Sequence, residues 1–288
     1  MSKVDVYQDV TNRIIDALEK GLDGSFELPW HGISQIPENA HTGKKYKGVN
    51  VPLLWVYQMC EGYQSGIWAT YKQWQERGAQ VRKGEKSAHI VFWKMSEQEP
   101  AQDNEEKSMR MFAKWSRVFN ADQVDGFNPD DNFVPAEIGS IESADAIIEG
   151  TGADIRHTQV KAFYCPSGDF INMPPALRFK DTTDSTATEN YYSTMFHELT
   201  HWTGAKHRLD RFSNEKFSKS DYAFEELVAE LGAAMACAST GVTPLPRTDH
   251  EKYIECWLKA LQDDKKFIFS AASQAQKAVD YLYSTLET

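Results

Sequence analysis

Met195-Phe196-His197-Glu198-Leu199-Thr200-His201 carries His-Glu-x-x-His inside a stretch of helical periodicity, and no other feature of the chain limits its fold as strongly. Residues four apart share one face of a helix, so both imidazoles can point at a single ion. Glu198 stands beside that face, within reach of a water on the ion without ligating it. Three protein donors plus water make an open catalytic site, where the metal lowers the pKa of its water to about 7 and a glutamate takes the proton. The plain alternative is a chance match on a solvated helix. Tyr192, Met195, Phe196, Leu199 and Trp202 surround the motif and argue for a buried helix instead. Two buried histidines and a glutamate need partners, and one metal ion serves all three.

A third protein ligand must come from elsewhere. The next helical stretch, Phe224 to Ala233 (FEELVAELGA), has three acids in an otherwise apolar run. Glu226 and Glu230 are four apart and share a face, while Ala229, Gly232 and Ala233 are small enough to let two helices approach closely. The spacing resembles the glutamate helix of gluzincins, in which the first acid binds zinc and the second hydrogen-bonds a ligating imidazole. Glu226 is therefore the expected ligand, Glu230 the expected orienting residue and the next candidate ligand. The alternative is that Glu225, or all three acids, face solvent. His207 lies off the helix face, six residues past His201, and fits a surface or substrate-side position better. His/His/Glu ligation favours one Zn2+, although Mn2+ and related divalent ions suit the same donors.

The 288 residues suffice for two domains, and 41% hydrophobic with 12% aromatic residues is ample for packed cores. No apolar run nears the roughly 18 residues of a membrane span, and Met1 to Lys20 reads as an amphipathic helix rather than a leader. Cys60, Cys165, Cys237 and Cys256 are scattered without a CxxC pair, which argues against a disulfide framework and fits a cytoplasmic location.

Periodicity predicts an α+β chain. A helix over Val4 to Lys20 precedes a loop with Gly24, Pro29 and Gly32, then a helix capped by Asn50 with Pro52 in its first turn. Strands are expected at Ala88 to Lys94 and Met109 to Phe119, around a polar excursion from Ser96 to Ser108. The turn-rich stretch from Asn120 to Phe133 suggests a boundary near residue 135, dividing the chain into 1–135 and 136–288. The second half should hold a helix at Ser140 to Thr151 and a hairpin of Ile155 to Cys165 with Asp169 to Met173. Helices at Thr188 to Thr203, Asp221 to Ser239, His250 to Leu261 and Ser270 to Leu286 should follow.

The formal net charge of -11 disfavours nucleic acid as a partner of the whole chain, but residues 41–95 hold 9 Lys/Arg against 3 Asp/Glu. Cations alternate there with rings and amides: Lys44, Lys45, Tyr46, Lys47 and Asn50, then Trp68, Tyr71, Lys72 and Trp74, then Arg82, Lys83 and Lys86. Single-stranded nucleic acid wants cations for its phosphates and exposed rings for its bases, a stacked base being worth about 1–3 kcal/mol. Against this, Trp55, Trp74 and Trp93 can equally be core, and Lys44 to Lys47 a solvated turn.

The chain resembles the ArdC-type antirestriction proteins, whose N-terminal domain is shared with TraC-type plasmid primases. The resemblance rests on Pro29-Trp30, Thr42 to Asn50, Trp68 to Trp74, Gly78 to Lys86 and Val118 to Val124, and on His197 to Gly204 and Glu225 to Leu231. It implies a single-stranded-DNA-binding N-terminal domain, a zincin-like C-terminal domain and protection of incoming conjugative plasmid DNA from host restriction. A second reading is an active cytosolic metallopeptidase that cuts a protein of the restriction or DNA-processing machinery. A third, a primase accessory module, lacks any acidic triad of a polymerase centre to support it.

Overall fold

A computed structural model describes residues 5–22, 36–63, 65–98, 108–127, 141–159, 161–174, 179, 181, 185–212, 219–242 and 251–286. Helix α1 (Val6–Leu22) buries Val10, Ile14, Ala17 and Leu18, which fall on one stripe by their spacing of four, three and one. Its partner is not the nearby chain alone. It lies along α7 (Glu251–Asp263), the Thr11 hydroxyl donates to the Lys265 carbonyl at 2.8 Å, and Tyr7 packs on Phe269. One continuous apolar core therefore runs from the first helix to the last.

Helix α2 (Asn50–Glu61) is apolar on most sides because it is covered by α1 on one face and by sheet on another. That sheet has the order β1-β2-β5-β4, from β1 (Glu38–Asn39), β2 (Ile67–Ala69), β5 (Ser108–Asn120) and β4 (Ala88–Gln98). Only the β1–β2 pair is parallel. The expected strands are present and longer than the alternation suggested, β4 and β5 pairing from Ala88 with Val118 to Gln98 with Ser108. The polar excursion is thus strand at both ends, its centre lying outside the described residues, as do the Pro29 loop, Trp30 and the boundary near 135.

A smaller core sits beside this sheet. Helix α3 (Tyr71–Glu76) starts at a Thr70 cap whose hydroxyl accepts from the Gln73 amide. The helix packs with the two-stranded pair β3 (Gln80–Val81) and β6 (Val124–Asp125) around Ala69, Trp74, Val81 and Val124. Asn120 and Gln123 lock the approach to β6: Gln123 accepts from the Asn120 amide and donates to the Lys86 carbonyl, and Asn120 donates to the Ser65 carbonyl.

In the second half, α4 (Ile141–Gly150) precedes a three-stranded sheet of order β7-β9-β8, from β7 (Asp154–Arg156), β8 (Phe163–Cys165) and β9 (Phe170–Asn172). The sequence suggested one strand over 155–165, and the structure breaks it in two. The buried Asn172 carboxamide accepts from Thr158 and Gln159 and donates to the carbonyls of Gln159 and Lys161, which turns the chain between the halves. As a result β9 pairs parallel with β7 and antiparallel with β8. Helices α5 (Ala187–Thr203), α6 (Lys219–Thr240), α7 and α8 (Phe267–Ser284) fall close to their expected spans, with α6 packed between α5 and α8. Among the described residues no helix is long and apolar enough to cross a membrane, and all four cysteines are free thiols.

Candidate metal centre

Thr186 caps α5, its hydroxyl accepting from the Glu189 amide while the Glu189 carboxylate accepts from the Thr186 amide. From that start the helix runs buried through the motif, with His197 and Glu198 each only 3% exposed. Helix α6 crosses it where the chain is thinnest. At Gly232 an added Cβ would lie 2.6 Å from Thr200 Cγ2 and 2.7 Å from its hydroxyl. This contact brings the acids of α6 up to the histidines.

The Nε2 atoms of His197 and His201 lie 3.1 Å apart, and each is 3.6 Å from one carboxylate oxygen of Glu226. Donors bonded tetrahedrally to zinc at ordinary N and O distances sit about 3.3–3.5 Å from one another, and here the Glu226 carboxylate straddles the pair, Oε2 toward His197 and Oε1 toward His201, so that donor atoms of all three residues lie within 4.8 Å of one another. Their outer partners agree with that use. His197 Nδ1 lies 2.9 Å from Glu230 Oε1, and His201 Nδ1 lies 3.2 Å from Glu225 Oε1. A carboxylate only accepts, so an imidazole that carries its one proton on Nδ1 aims a lone pair from Nε2. Two lone pairs facing across 3.1 Å repel unless a cation stands between them. These residues therefore fit a divalent metal.

Burial pushes the Glu226 carboxyl up. The hydrogen bond with His197, the charges that His201 and His197 carry when protonated and a hydrogen bond from Tyr222 outweigh it and hold the group at about 2. Tyr222 itself is 49% exposed, whereas Glu226 is buried at 9%.

Against the alternative reading, Glu225 does not face solvent. It is 5% exposed, bonded to His201 and gripped by Arg211 through Nε at 3.0 Å and Nη2 at 2.9 Å. The pattern of apolar neighbours around three acids signalled the burial, but nothing local connects Glu225 to Arg211 fourteen residues earlier. His207 is mostly exposed and stays off the metal centre, pairing with Asp169 at 3.1 Å.

The basic half requires sharper correction. Trp68 and Trp74 are fully buried and cannot stack on bases; the Trp74 indole donates to the Phe119 carbonyl at 3.0 Å and fills the small core. Asn50 is half-buried, and its carboxamide bonds both the amide and the carbonyl of Val91 at 2.7 Å, closing the open edge of β4. Tyr46 is also half-buried, with its hydroxyl accepting from Asn39. Lys44, Lys45, Lys47, Tyr71, Lys72, Arg82, Lys83 and Lys86 are exposed. Lys47 is paired with Asp280, Lys72 with Glu76 and Arg82 with Glu85. The turn bearing Lys44 and Lys45 lies against α3 through Asn39–Gln73 and His41–Glu76 contacts, and Gln80 of β3 donates to the Tyr71 hydroxyl. The turn with Lys44 and Lys45, helix α3 and strand β3 thus come together, whereas Tyr46 and Trp68 pack on the larger core.

Residues 4–119 match the family described as the N-terminal domain of anti-restriction factor ArdC, and residues 142–274 match a zincin-like metallopeptidase family. The chain is 41% identical to protein y4eC of Sinorhizobium fredii (strain NBRC 101917 / NGR234), over 97% of this chain and 92% of that protein. It is 36% identical to DNA primase TraC of Escherichia coli over 96% of its own length, but spans only 27% of the primase. Among solved structures, it is similar to the metal-free antirestriction ArdC protein from the R388 plasmid, with a TM-score of 0.83 and 42% identity over 99% of this chain and 98% of that one. The Mn(II)-bound structure of the same protein matches with a TM-score of 0.76 and 41% identity over 98% of both chains.

Proposed function

Because this chain belongs to the ArdC antirestriction family, we propose that it binds single-stranded DNA through its N-terminal half, shields incoming conjugative DNA from host restriction in the cytoplasm, and holds one divalent metal in a peptidase-like C-terminal half. The junction falls near residue 135. The observation that carries the metal assignment is the convergence of His197, His201 and Glu226 donor atoms within 4.8 Å of one another, with a carboxylate beside the Nδ1 of each imidazole. Zn2+ suits the donor set best, and Mn2+, seen in the R388 relative, is an accepted alternative. When bound, the ion polarises a water and a substrate carbonyl. Glu198, buried one residue on from His197, is the group that accepts the water's proton and passes it to the leaving amine.

DNA binding is supported by the exposed Lys44, Lys45, Lys83 and Lys86, which have no acidic partner among the described residues, with Tyr71 as the exposed ring. These replace the tryptophans as the contact surface. The completeness of the donor set favours a second role beside shielding, cleavage of a protein of the restriction or DNA-processing machinery. Glu198→Gln separates the two. The variant should retain its metal and lose peptide cleavage. If conjugation into a restricting host is then protected as before, shielding alone is the function; if protection disappears while DNA affinity persists, cleavage is required. Failure of the purified wild-type chain to take up Zn2+ or Mn2+ would refute the metal assignment.

A further inference from the structure

We propose that Arg211 is a positioning residue of the metal centre, acting through Glu225 on the His201 imidazole. This rests on the metal assignment above and extends it to a group on a different element, ten residues past His201 and fifteen before Glu226.

The chain is built to bring Arg211 back. After α5 ends, the Leu209 amide donates to the Thr203 carbonyl and the Arg211 amide to the Gly204 carbonyl, with Asp210 in the left-handed region at φ 50° reversing the direction between them. Gly204 makes room for the return: an added Cβ would lie 2.8 Å from the Phe212 ring and 3.0 Å from Arg211 Nη2. The guanidinium ends up with a side-chain exposure of 5%. It donates to both oxygens of Glu225, to the Thr203 hydroxyl at 2.9 Å and to the Thr200 carbonyl at 2.5 Å.

The geometry explains what this achieves. Glu225 Oε1 is shared between Arg211 Nη2 at 2.9 Å and His201 Nδ1 at 3.2 Å. A carboxylate held by one oxygen could rotate about its own axis and lose the ring. The planar fork of an arginine takes both oxygens and leaves the carboxylate one plane, with Oε1 toward the imidazole. The same guanidinium is fastened to the carbonyl of Thr200 and the hydroxyl of Thr203, on either side of His201 in sequence. Helix α5, Glu225 on α6 and the ring of His201 are thereby tied at one point. Lysine, a single flexible cation, cannot hold that plane. Arg211 touches no reacting atom, so its role is orientation.

The test uses the full-length chain. Arg211→Lys keeps the buried charge and removes the fork. Partners that orient a metal ligand typically contribute 10–100-fold to metal affinity, so Zn2+ and Mn2+ dissociation constants, read by chelator competition, should rise by about that factor. Glu225→Gln should do the same, and the double variant should be no weaker than the worse single, since both act through one contact. In the metal-free protein, imidazole 15N shifts should show His201 protonated at Nδ1 in the wild type and as mixed tautomers in Arg211→Lys. Wild-type affinity and an unchanged His201 signature in a folded Arg211→Lys would overturn the proposal, as would factors that multiply in the double variant. If Arg211→Lys does not fold, Gly204→Ala displaces the same guanidinium without altering charge, and unchanged metal affinity there would overturn it equally. Should the wild type bind neither ion, the metal assignment falls, and the 15N signature alone still decides whether Arg211 sets the orientation of His201.

Discussion

Gly232→Ala is the perturbation that most directly probes how α5 and α6 build the site. On an isolated helix the change is favourable by about 0.8–1 kcal/mol, because glycine is the poorer helix former. Here the new methyl would meet Thr200 Cγ2 at 2.6 Å, Oγ1 at 2.7 Å and Cβ at 3.2 Å, with Thr200 fully buried. Turning the threonine gives no relief. Its hydroxyl is held by the Phe196 carbonyl at 2.7 Å, and its Cβ stays too close in any rotamer. Carbon atoms pack at about 3.5–4 Å, so the helices must part by several tenths of an ångström or more. Overpacking of this kind costs about 1–3 kcal/mol, and the upper part of that range applies to a site with no free volume. The net expectation is a loss of about 1–2 kcal/mol, or a fall in Tm of roughly 2–8 °C for a chain of this size. Glu226 lies six residues back along α6, about 9 Å along the axis, so the same displacement should weaken metal binding. Thermal unfolding without metal, followed by Zn2+ titration, reads both effects. Removing the two γ atoms in Gly232→Ala/Thr200→Ala should recover part of the lost stability, the 3.2 Å approach to Cβ remaining, and so give non-additivity. If Gly232→Ala alone raises Tm by its helix-propensity gain and leaves metal affinity unaltered, the close-contact reasoning is refuted.

Three further outcomes are expected. Trp74→Ala should destabilise the protein by about 3–5 kcal/mol through the cavity it leaves, and any DNA-binding loss should track the unfolded fraction; a folded variant that specifically loses single-stranded DNA would restore Trp74 to the interface. Lys44→Ala/Lys45→Ala should lower the slope of log affinity against log salt by about 1.4, at roughly 0.7 per phosphate contact on a single strand, and an unaltered slope would remove both from the phosphate path. Hydrogen bonds from Arg208 hold the Asp169 carboxyl at about 2, against burial and with help from Tyr164, whereas its ordinary value is 3.8. A depressed carboxylate contributes stability that is complete above its unfolded pKa and is lost as pH falls through the folded one, so the window runs from about pH 4 down to 2. With the carboxylate 40% exposed, screening reduces the contribution to about 1 kcal/mol. Asp169→Asn should flatten Tm against pH in that window, and parallel acid curves for the two proteins would disprove the assignment.

Much of the architecture could be read along the chain because its causes are local. The stripe on α1, the spans of α5 to α8 and the strand character of β4 and β5 follow from periodicity within single segments. The split of β7 from β8 did not, since it depends on one buried carboxamide, Asn172, serving donors and acceptors as many as fourteen residues away. The basic half misled for a related reason. Aromatic rings between cations look the same in sequence whether they face a nucleic acid or a core. Only packing shows that Trp68 and Trp74 point inward while Tyr71 stays out.

What the sequence determined by itself is the chemistry of α5: two histidines one turn apart with a glutamate between them, a relation set by the pitch of a helix and independent of the rest of the chain. What the tertiary structure alone decided is how the acids of α6 meet that pair: the spacing of Glu226 and Glu230 pointed to both, but not to Glu225 turning inward to His201. Glu225, Glu226 and Glu230 are chemically alike, and their different tasks arise from where α6 crosses α5 at Gly232 and from an arginine returned by the loop between the helices. The contact of Glu225 with an arginine fourteen residues earlier carries no imprint in the spacing of either element.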